Sequence, residues 1–467
     1  MNILNSSNRV KKIVLLLIIL TLFVPMPITL AQKEVELKVK LDDLLRSGLE
    51  GNAEIVQAYL EVQRIEADQR AIAGGFFPRI DVSGQYDRNI KRPVFFFPAD
   101  GGQPGGSDPS PEGNVIEVGF DNAFQAIASA NMPIYDKQLI ENNRLAKTSI
   151  KLSQTNLEVN KNEIGGKIKK SFYEVLLAQE SLRVLELSLA NAEQNLVNVQ
   201  RQFEKEIVAE YDVIRAEVQV ANVLPDIIQS ENELQEALSN LKLLANIPEE
   251  ISIVLDGALE EAYQKNLAFS TLANYDLSNN PVIRQLNYQE DIQKHQISVT
   301  QASFMPKLNT FANYALLSQA NNFNFSDYFW VNTSAVGIKL DIPIFQGFTR
   351  SRRMDQARIE LKQAQVQKEF TQRSLTLQSQ NAQNRMERSF KAVKAQEKNI
   401  LQAERAYKIA QVSYSTGRST LIEVNDAELA LTQAKLNTLK VKWEYLNALI
   451  DLQELSGETS ITLNNSY

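Results

Sequence analysis

Phe76-Phe77-Pro78-Arg79-Ile80, with Tyr86 beyond it, is written again as Phe304-Met305-Pro306-Lys307-Leu308, with Tyr314 beyond it. The two prolines are 228 residues apart, and each tyrosine lies eight residues past its proline. Outward from these anchors the match continues. Met132-Pro133-Ile134-Tyr135 corresponds to Ile342-Pro343-Ile344-Phe345 at a shift of 210. Tyr211-Asp212-Val213-Ile214-Arg215-Ala216-Glu217 corresponds to Ile422-Glu423-Val424-Asn425-Asp426-Ala427-Glu428 at a shift of 211. Three anchors in one order mean that the chain is duplicated. The shift falls by 18 between the first two anchors, so the first copy carries 18 extra residues there. Residues 91–114 fill that interval. Ten of these 24 are Gly or Pro, which predicts a surface loop.

Each copy has one order: helix, strand, loop, strand, very long helix, tip, return helix. The first repeat is placed at residues 32–249, with strands at about 79–90 and 115–135, the loop at 91–114 and long helices over 136–246. A linker or equatorial segment follows at 250–278. The second repeat is placed at 279–457, with strands at about 307–316 and 329–345 and long helices over 346–456. A tail occupies 458–467. A helix precedes each first strand, at 41–74 with a break near Gly51, and at 280–303.

Residues 1–31 carry Arg9, Lys11 and Lys12, an apolar run at 13–24 and a final Ala31. This describes a secretory signal peptide. The apolar run falls short of the roughly 20 residues that an inner-membrane anchor needs. No later stretch is long and apolar enough for a membrane helix. The chain has no cysteine and one histidine. That excludes a disulfide scaffold or thiol enzyme and argues against a histidine-based metal centre or a Ser-His-Asp site. No Gly-rich phosphate loop, zinc motif or nucleophile elbow is present, so neither enzyme, cofactor nor metal site is expected. The net charge of −7 argues against a nucleic-acid partner. His295 reads as an ordinary helix residue.

In residues 330–343, Trp330, Val336, Ile338, Leu340 and Ile342 alternate with Thr333, Ala335, Gly337, Lys339 and Asp341. This is the period of a strand with one apolar face. Residues 120–132 and 79–88 alternate alike; residues 307–316 do so less cleanly, with Phe311 on the polar side. Two readings remain, a half-buried soluble hairpin or a membrane strand. Four strands cannot close a barrel, so membrane strands would require oligomerisation, and a trimer would supply 12. Tyr86, Tyr314, Tyr328 and Trp330 near strand ends fit an interfacial aromatic belt.

Residues 348–416 hold no Gly and no Pro over 69 positions, and the matching stretch, 136–203, has only Gly165-Gly166. At 1.5 Å per residue such a helix is about 100 Å long. The return helix repeats Leu429, Leu436, Trp443 and Ile450 at intervals of seven, with Leu439 and Leu446 between. Elsewhere the apolar stripes are thin. Such helices suit the wall of a hollow tube or a solvent-exposed rod. The return helices are shorter, and Pro225 is expected to kink the first. The helices that precede the strands are expected to supply the missing length. The cluster Arg350, Arg352 and Arg353 opposes a helix dipole, which lipid phosphate or an acidic neighbour would offset.

These parts together resemble the TolC-type outer-membrane efflux proteins over about residues 38–457. The most specific stretch is Tyr414-Ser415-Thr416-Gly417-Arg418-Ser419-Thr420-Leu421-Ile422-Glu423-Val424-Asn425-Asp426-Ala427. The resemblance implies a mainly α fold with a small transmembrane β part. It also implies a homotrimer whose 12-stranded barrel, set in outer-membrane lipid, joins a long α-helical periplasmic tunnel. By resemblance Glu423 and Asp426 form the pore constriction, and Asp212, Tyr414 and Arg418 make the gate contacts, with Ser419 where the family has Arg. Glu206, Ile207, Val208 and Gly417 mark the tips that meet a periplasmic adaptor. Glu206 stands where the family usually has Gly. Either that turn differs, or Glu206 takes a positive φ at about 1–2 kcal/mol. The implied function is a passive exit duct in a tripartite efflux or secretion system, fed by an inner-membrane pump. A secreted coiled-coil structural or adhesion protein without a pore is the alternative.

Overall fold

The computed structural model describes residues 37–97, 114–270 and 277–457. The expected signal peptide at 1–31, the Gly/Pro-rich part of the loop and the tail at 458–467 lie outside the described residues.

Order along the chain is β1 (Leu37–Val39), α1 (Leu41–Gly51), α2 (Ala53–Gly74), β2 (Arg79–Arg88), β3 (Val94–Phe97), β4 (Asn114–Glu117), β5 (Asn122–Tyr135), α3 (Lys137–Phe203) and α4 (Glu210–Leu244). It continues with β6 (Ile253–Leu255), α5 (Leu259–Ser270), α6 (Pro281–Ala302), β7 (Lys307–Ala320), β8 (Val331–Asp341), α7 (Thr349–Ser415) and α8 (Leu421–Ser456). Short 3₁₀ turns precede α6 and β8.

The two outgoing helices, α3 and α7, are both 67 residues long. Absence of breakers explains α7. In α3 the helix continues across Gly165-Gly166, and a Cβ on Gly166 would stand 2.7 Å from Oε2 of Glu454 on α8. The glycine there lets two helices approach. The return helices α4 and α8 have 35 and 36 residues, and helical structure continues across Pro225.

The missing length is supplied by α2 and α6. The joint is built from an asparagine that serves two helices. Asn52 accepts from the Glu54 N–H at 2.9 Å, capping α2, and its side-chain amide donates to Leu244 O at 3.1 Å, the last carbonyl of α4. Asn280 accepts from the Val282 N–H at 2.7 Å, capping α6, and donates to Leu455 O at 2.8 Å in the last turn of α8. Both side chains are buried. They lie 228 residues apart, the shift of the two prolines. The helices on the other side of each joint close on Asn246 (φ 54°) and Gly457 (φ 78°), 211 residues apart. Thus α3 is flanked by α4 and then α2, while α7 is flanked by α8 and then α6, with α6 and α8 also packing on α3.

Around these joints lies the main core. Leu44 and Leu45 of α1, Ile164, Ile168, Phe172 and Val175 of α3, Leu241 of α4 and Tyr445, Leu446 and Ile450 of α8 are buried together. The segment between the copies joins this core. β6 pairs in parallel with β1, Leu37 opposite Ile253, and α5 buries Leu259 and Tyr263. Of the heptad residues, Leu446 and Ile450 are buried, but Leu429 is 63% exposed in the single chain. The seam of α8 therefore opens toward the tip.

The four strands form one antiparallel sheet in the order β2-β5-β7-β8. Register gathers most of the apolar residues on one face: Ile80, Ala130, Ala312 and Val336 stand in one row, and Val82, Ala128 and Tyr314 in the next, which ends on the polar Ser334 of β8. Phe311, the exception to the alternation, lies on the other face against Gly337, where a Cβ would be 2.8 Å from its ring. Tyr86 stacks on Phe124 at 4.8 Å, and Phe325 and Tyr328 extend the aromatic cluster. Four boundaries differ from expectation; the strand expected at about 307–316 runs on to Ala320. The stretch at 91–114 is not all loop, since Val94–Phe97 pairs with Asn114–Glu117 as a separate ribbon; the phenylalanine run there favours strand. The strand expected at 115–135 is interrupted at Gly119 (φ 93°). The strand expected at 329–345 ends at Asp341, two residues before Pro343, which cannot donate to a ladder.

The joint yields a test. Asn280→Ala removes an N-cap and leaves a buried carbonyl unpaired, and should cost about 1–3 kcal/mol. The check is thermal or denaturant unfolding of the detergent-solubilised protein; an unchanged midpoint would refute the assigned role.

Candidate functional site: the helix tips

Each outgoing helix ends in the same hydrogen-bonded turn. In the second copy Gly417 N–H donates to Tyr414 O at 2.9 Å and Arg418 N–H to Ser413 O at 2.8 Å, with Gly417 at φ 71°. In the first copy Glu206 N–H donates to Phe203 O at 2.8 Å and Ile207 N–H to Gln202 O at 2.9 Å, with Glu206 at φ 57°. This is the paired 6→1 and 5→2 closure of a helix C-terminus, whose positive-φ position favours glycine. Of the two alternatives for Glu206, the structure therefore shows the strained one: the turn is kept and a non-glycine residue occupies it.

The first tip leads through Ile207, which is 68% exposed, to Val208 and α4. Val208 does not stay outside. It packs against a buried cluster of Val199 of α3, Ala216 of α4 and Leu421 of α8, which Leu196, Val213 and Tyr414 also border. This small cluster ties both tips of one chain together. Glu206, Ile207 and Gly417 remain on the surface.

Asp212, in the first turn of α4, is placed near Tyr414. Burial, then the charge of Asp212, pushes the Tyr414 phenol above its ordinary range. No hydrogen bond joins them, and Tyr414 Oη is buried without a partner among the described residues. The pair expected as a gate contact is thus adjacent but unbonded within one chain. Arg418 is exposed and forms no ion pair among the described residues. Ser419 Oγ donates to Ala410 O at 3.4 Å, holding the tip against the end of α7.

Glu423 and Asp426 are both exposed on one face of α8, separated by three residues. Glu423 has a local duty as well. It is the third residue of the helix; its N–H donates to Thr420 Oγ1 at 3.5 Å, and the Thr420 hydroxyl donates to Glu423 Oε1 at 3.4 Å. A carboxylate at a helix N-terminus is also favoured by the dipole. Among the described residues no group of three or more His, Asp or Glu is arranged to hold a metal. At the far end of α7, Arg350 of the basic cluster lies over the Phe304 ring at 5.1 Å, and Arg352 approaches Asp355 at 3.9 Å.

Residues 44–246 and 272–458, nearly all of both repeats, match the family described as outer membrane efflux protein. The chain belongs to that family. The efflux protein is 23% identical over 298 residues to the outer membrane protein TolC of Vibrio cholerae, covering 63% of this chain and 67% of that one. It is 20% identical over 340 residues to the alkaline protease secretion protein AprF of Pseudomonas aeruginosa, covering 72% and 70%. Among solved structures, the CmeC outer membrane channel of Campylobacter jejuni superposes with a TM-score of 0.68 at 16% identity, covering 90% of this chain and 86% of that one. That likeness is one of fold: a mostly helical channel protein with a small sheet. Two structural features of the efflux protein had no mark in the sequence reading. One is the asparagine joint, although both asparagines obey the repeat shift. The other is the inward turn of Val208.

The strained cap generates a prediction. Glu206→Gly should relieve about 1 kcal/mol of backbone strain. Hydrogen exchange over residues 202–208 should slow accordingly; faster exchange would show that the Glu206 side chain stabilises the tip by some other contact.

Proposed function

We propose that the chain is the outer-membrane exit duct of a tripartite efflux or secretion system. Family membership supports the duct. The single structural observation that carries the assembly is the four-stranded sheet. Most apolar strand residues lie on one of its faces, and among the described residues two strands, β2 and β8, each lack a neighbour on one side. Unpaired edges cannot stand in lipid. Three copies, with β8 of one beside β2 of the next, make a closed barrel of 12 strands. The exposed Val82, Val336 and Ile338 then face outer-membrane lipid. The helices extend into the periplasm, and the tips at Glu206, Ile207 and Gly417 meet an adaptor protein that links the duct to an inner-membrane pump. Transport energy comes from the pump, and this chain has no enzymatic role.

In the trimer Glu423 and Asp426 repeat around one axis as six carboxylates, a cation-favouring constriction. Asp212, Tyr414 and Arg418 then act across helix pairs, and the unpartnered Tyr414 hydroxyl finds its acceptor in the assembled tip. A secreted rod without a pore accounts for the helices, but it gives no reason for a sheet whose register gathers exposed apolar residues such as Ile80, Val82, Val336 and Ile338 on one face.

Two outcomes are expected. Outer-membrane extracts in mild detergent should give a protein mass, after subtraction of detergent, of three chains; a monomer, or recovery in the soluble fraction, would overturn the duct. In planar bilayers, Glu423→Gln with Asp426→Asn should reduce cation preference and weaken block by multivalent cations. Unaltered selectivity would remove these residues from the constriction.

A further inference from the structure

Two residues beyond Asp426 on α8 is a rotation of about 200°, so Glu428 points the opposite way. It is 2% exposed, and neither carboxyl oxygen has a hydrogen-bond partner among the described residues. Its surroundings come from the two helices packed on this part of α8. From α3 it is faced by Asn191, and the Asn195 side chain lies one turn further along; from α7 it is faced by Tyr407. One turn along α8, Thr432 Oγ1 meets Ser188 Oγ of α3 at 3.2 Å. None of these groups is a cation, and no Lys or Arg of the described residues forms an ion pair with Glu428. The nearby amide of Asn195 is itself buried without a partner for its nitrogen. A carboxylate here has a desolvation penalty that no cation offsets; only the Asn191 side chain acts against it. Of the carboxylates assigned to the constriction, Asp426 lies two residues away, about half a turn, and Glu423 five, a little over one turn; Glu428 itself sits where α8 packs on α3 and α7.

We propose that Glu428 is a proton-controlled latch of the tip: its neutral carboxyl lets α8 stay packed on α3, and its ionisation favours their separation. The latch rests on the duct reading, since it gives the opening of the tip its trigger. Burial raises the Glu428 pKa to about 7, with Asn191 acting against the shift. The raised group is neutral in the packed state. Packing is therefore fully favoured below the ordinary carboxyl value of 4.5, and that advantage is lost as pH rises through about 7. Tyr407, whose phenol is pushed up by burial and by the Glu428 charge, stays neutral throughout this range and does not compensate.

The test uses the full chain in detergent and compares it with Glu428→Gln, which mimics the neutral acid, and with Glu428→Met, apolar and of similar length. Hydrogen exchange over residues 421–432 is read from pH 5 to 8 as the ratio of wild type to variant, so that the intrinsic pH dependence cancels. The ratio is expected to be near one at pH 5 and to rise by about tenfold or more at pH 8. Bilayer conductance of the wild type should rise over the same interval, and that of both variants should stay at the low-pH level. A ratio that does not change with pH overturns the latch, as does a variant whose conductance follows the wild-type profile. A rising ratio with no conductance from either protein supports the latch and overturns the duct.

Discussion

A long hollow wall of helices needs neighbours along its whole length, and no return helix here is long enough to provide them. Helices α3 and α7 run 67 residues, whereas α4 and α8 stop after 35 and 36. Everything else depends on the end-to-end joint made by Asn52 and Asn280. Four backbone groups at each end of a helix lack an internal partner. Where two ends abut in a protein core, water cannot serve them. One buried asparagine solves both problems, with its oxygen accepting from the new helix and its amide donating to the old one. The core is densest around that point, and the segment between the copies is drawn onto it through β1 and β6.

Away from the joint, the two ends of the molecule meet different demands. Toward the sheet, the register brings the apolar residues of four strands largely onto one face, with Ser334 and Thr310 among them. The small side chains of β5, alanine at 126, 128 and 130, leave room for Tyr314 and Leu316 opposite. Such a face, beside two strands whose outer edges are unpaired among the described residues, is what the proposed barrel would complete. Toward the tips, packing thins out. The cluster around Val199, Ala216 and Leu421 is small, and polar groups enter the interior at Tyr414 and Glu428. Weak local burial and unpartnered polar atoms place the tips at the less stable end of the fold.

The duplication is structural even where the residues differ. Glu206 and Gly417 occupy the same cap position with nearly the same φ and the same two hydrogen bonds. Asn246 and Gly457 form a second such pair. In each case a glycine in the second copy is matched by a larger residue in the first. The backbone path has been retained through substitution at a cost of about 1 kcal/mol, small against the packing that holds it.

The amino-acid sequence by itself determined the repeats, the helix lengths and the alternation of the strands. These are local properties: a run without Gly or Pro, or a period of two, acts within a few residues. It also located the tips, because Gly417 and the residues after it form one contiguous stretch. Even the tension at Glu206 was legible, since a single turn imposes its own φ. Only the tertiary structure decided which buried groups lack partners and which asparagines join helices. Asn52 meets Leu244, and Glu428 meets Tyr407 and Asn191, across separations that no periodicity encodes. Leu429 belongs to the heptad by spacing but is exposed, while Glu428 beside it is buried. The reason is geometric: which side of α8 turns inward is set by its packing on α3 and α7 along its whole length, a contact between distant parts of the chain that a seven-residue period does not encode.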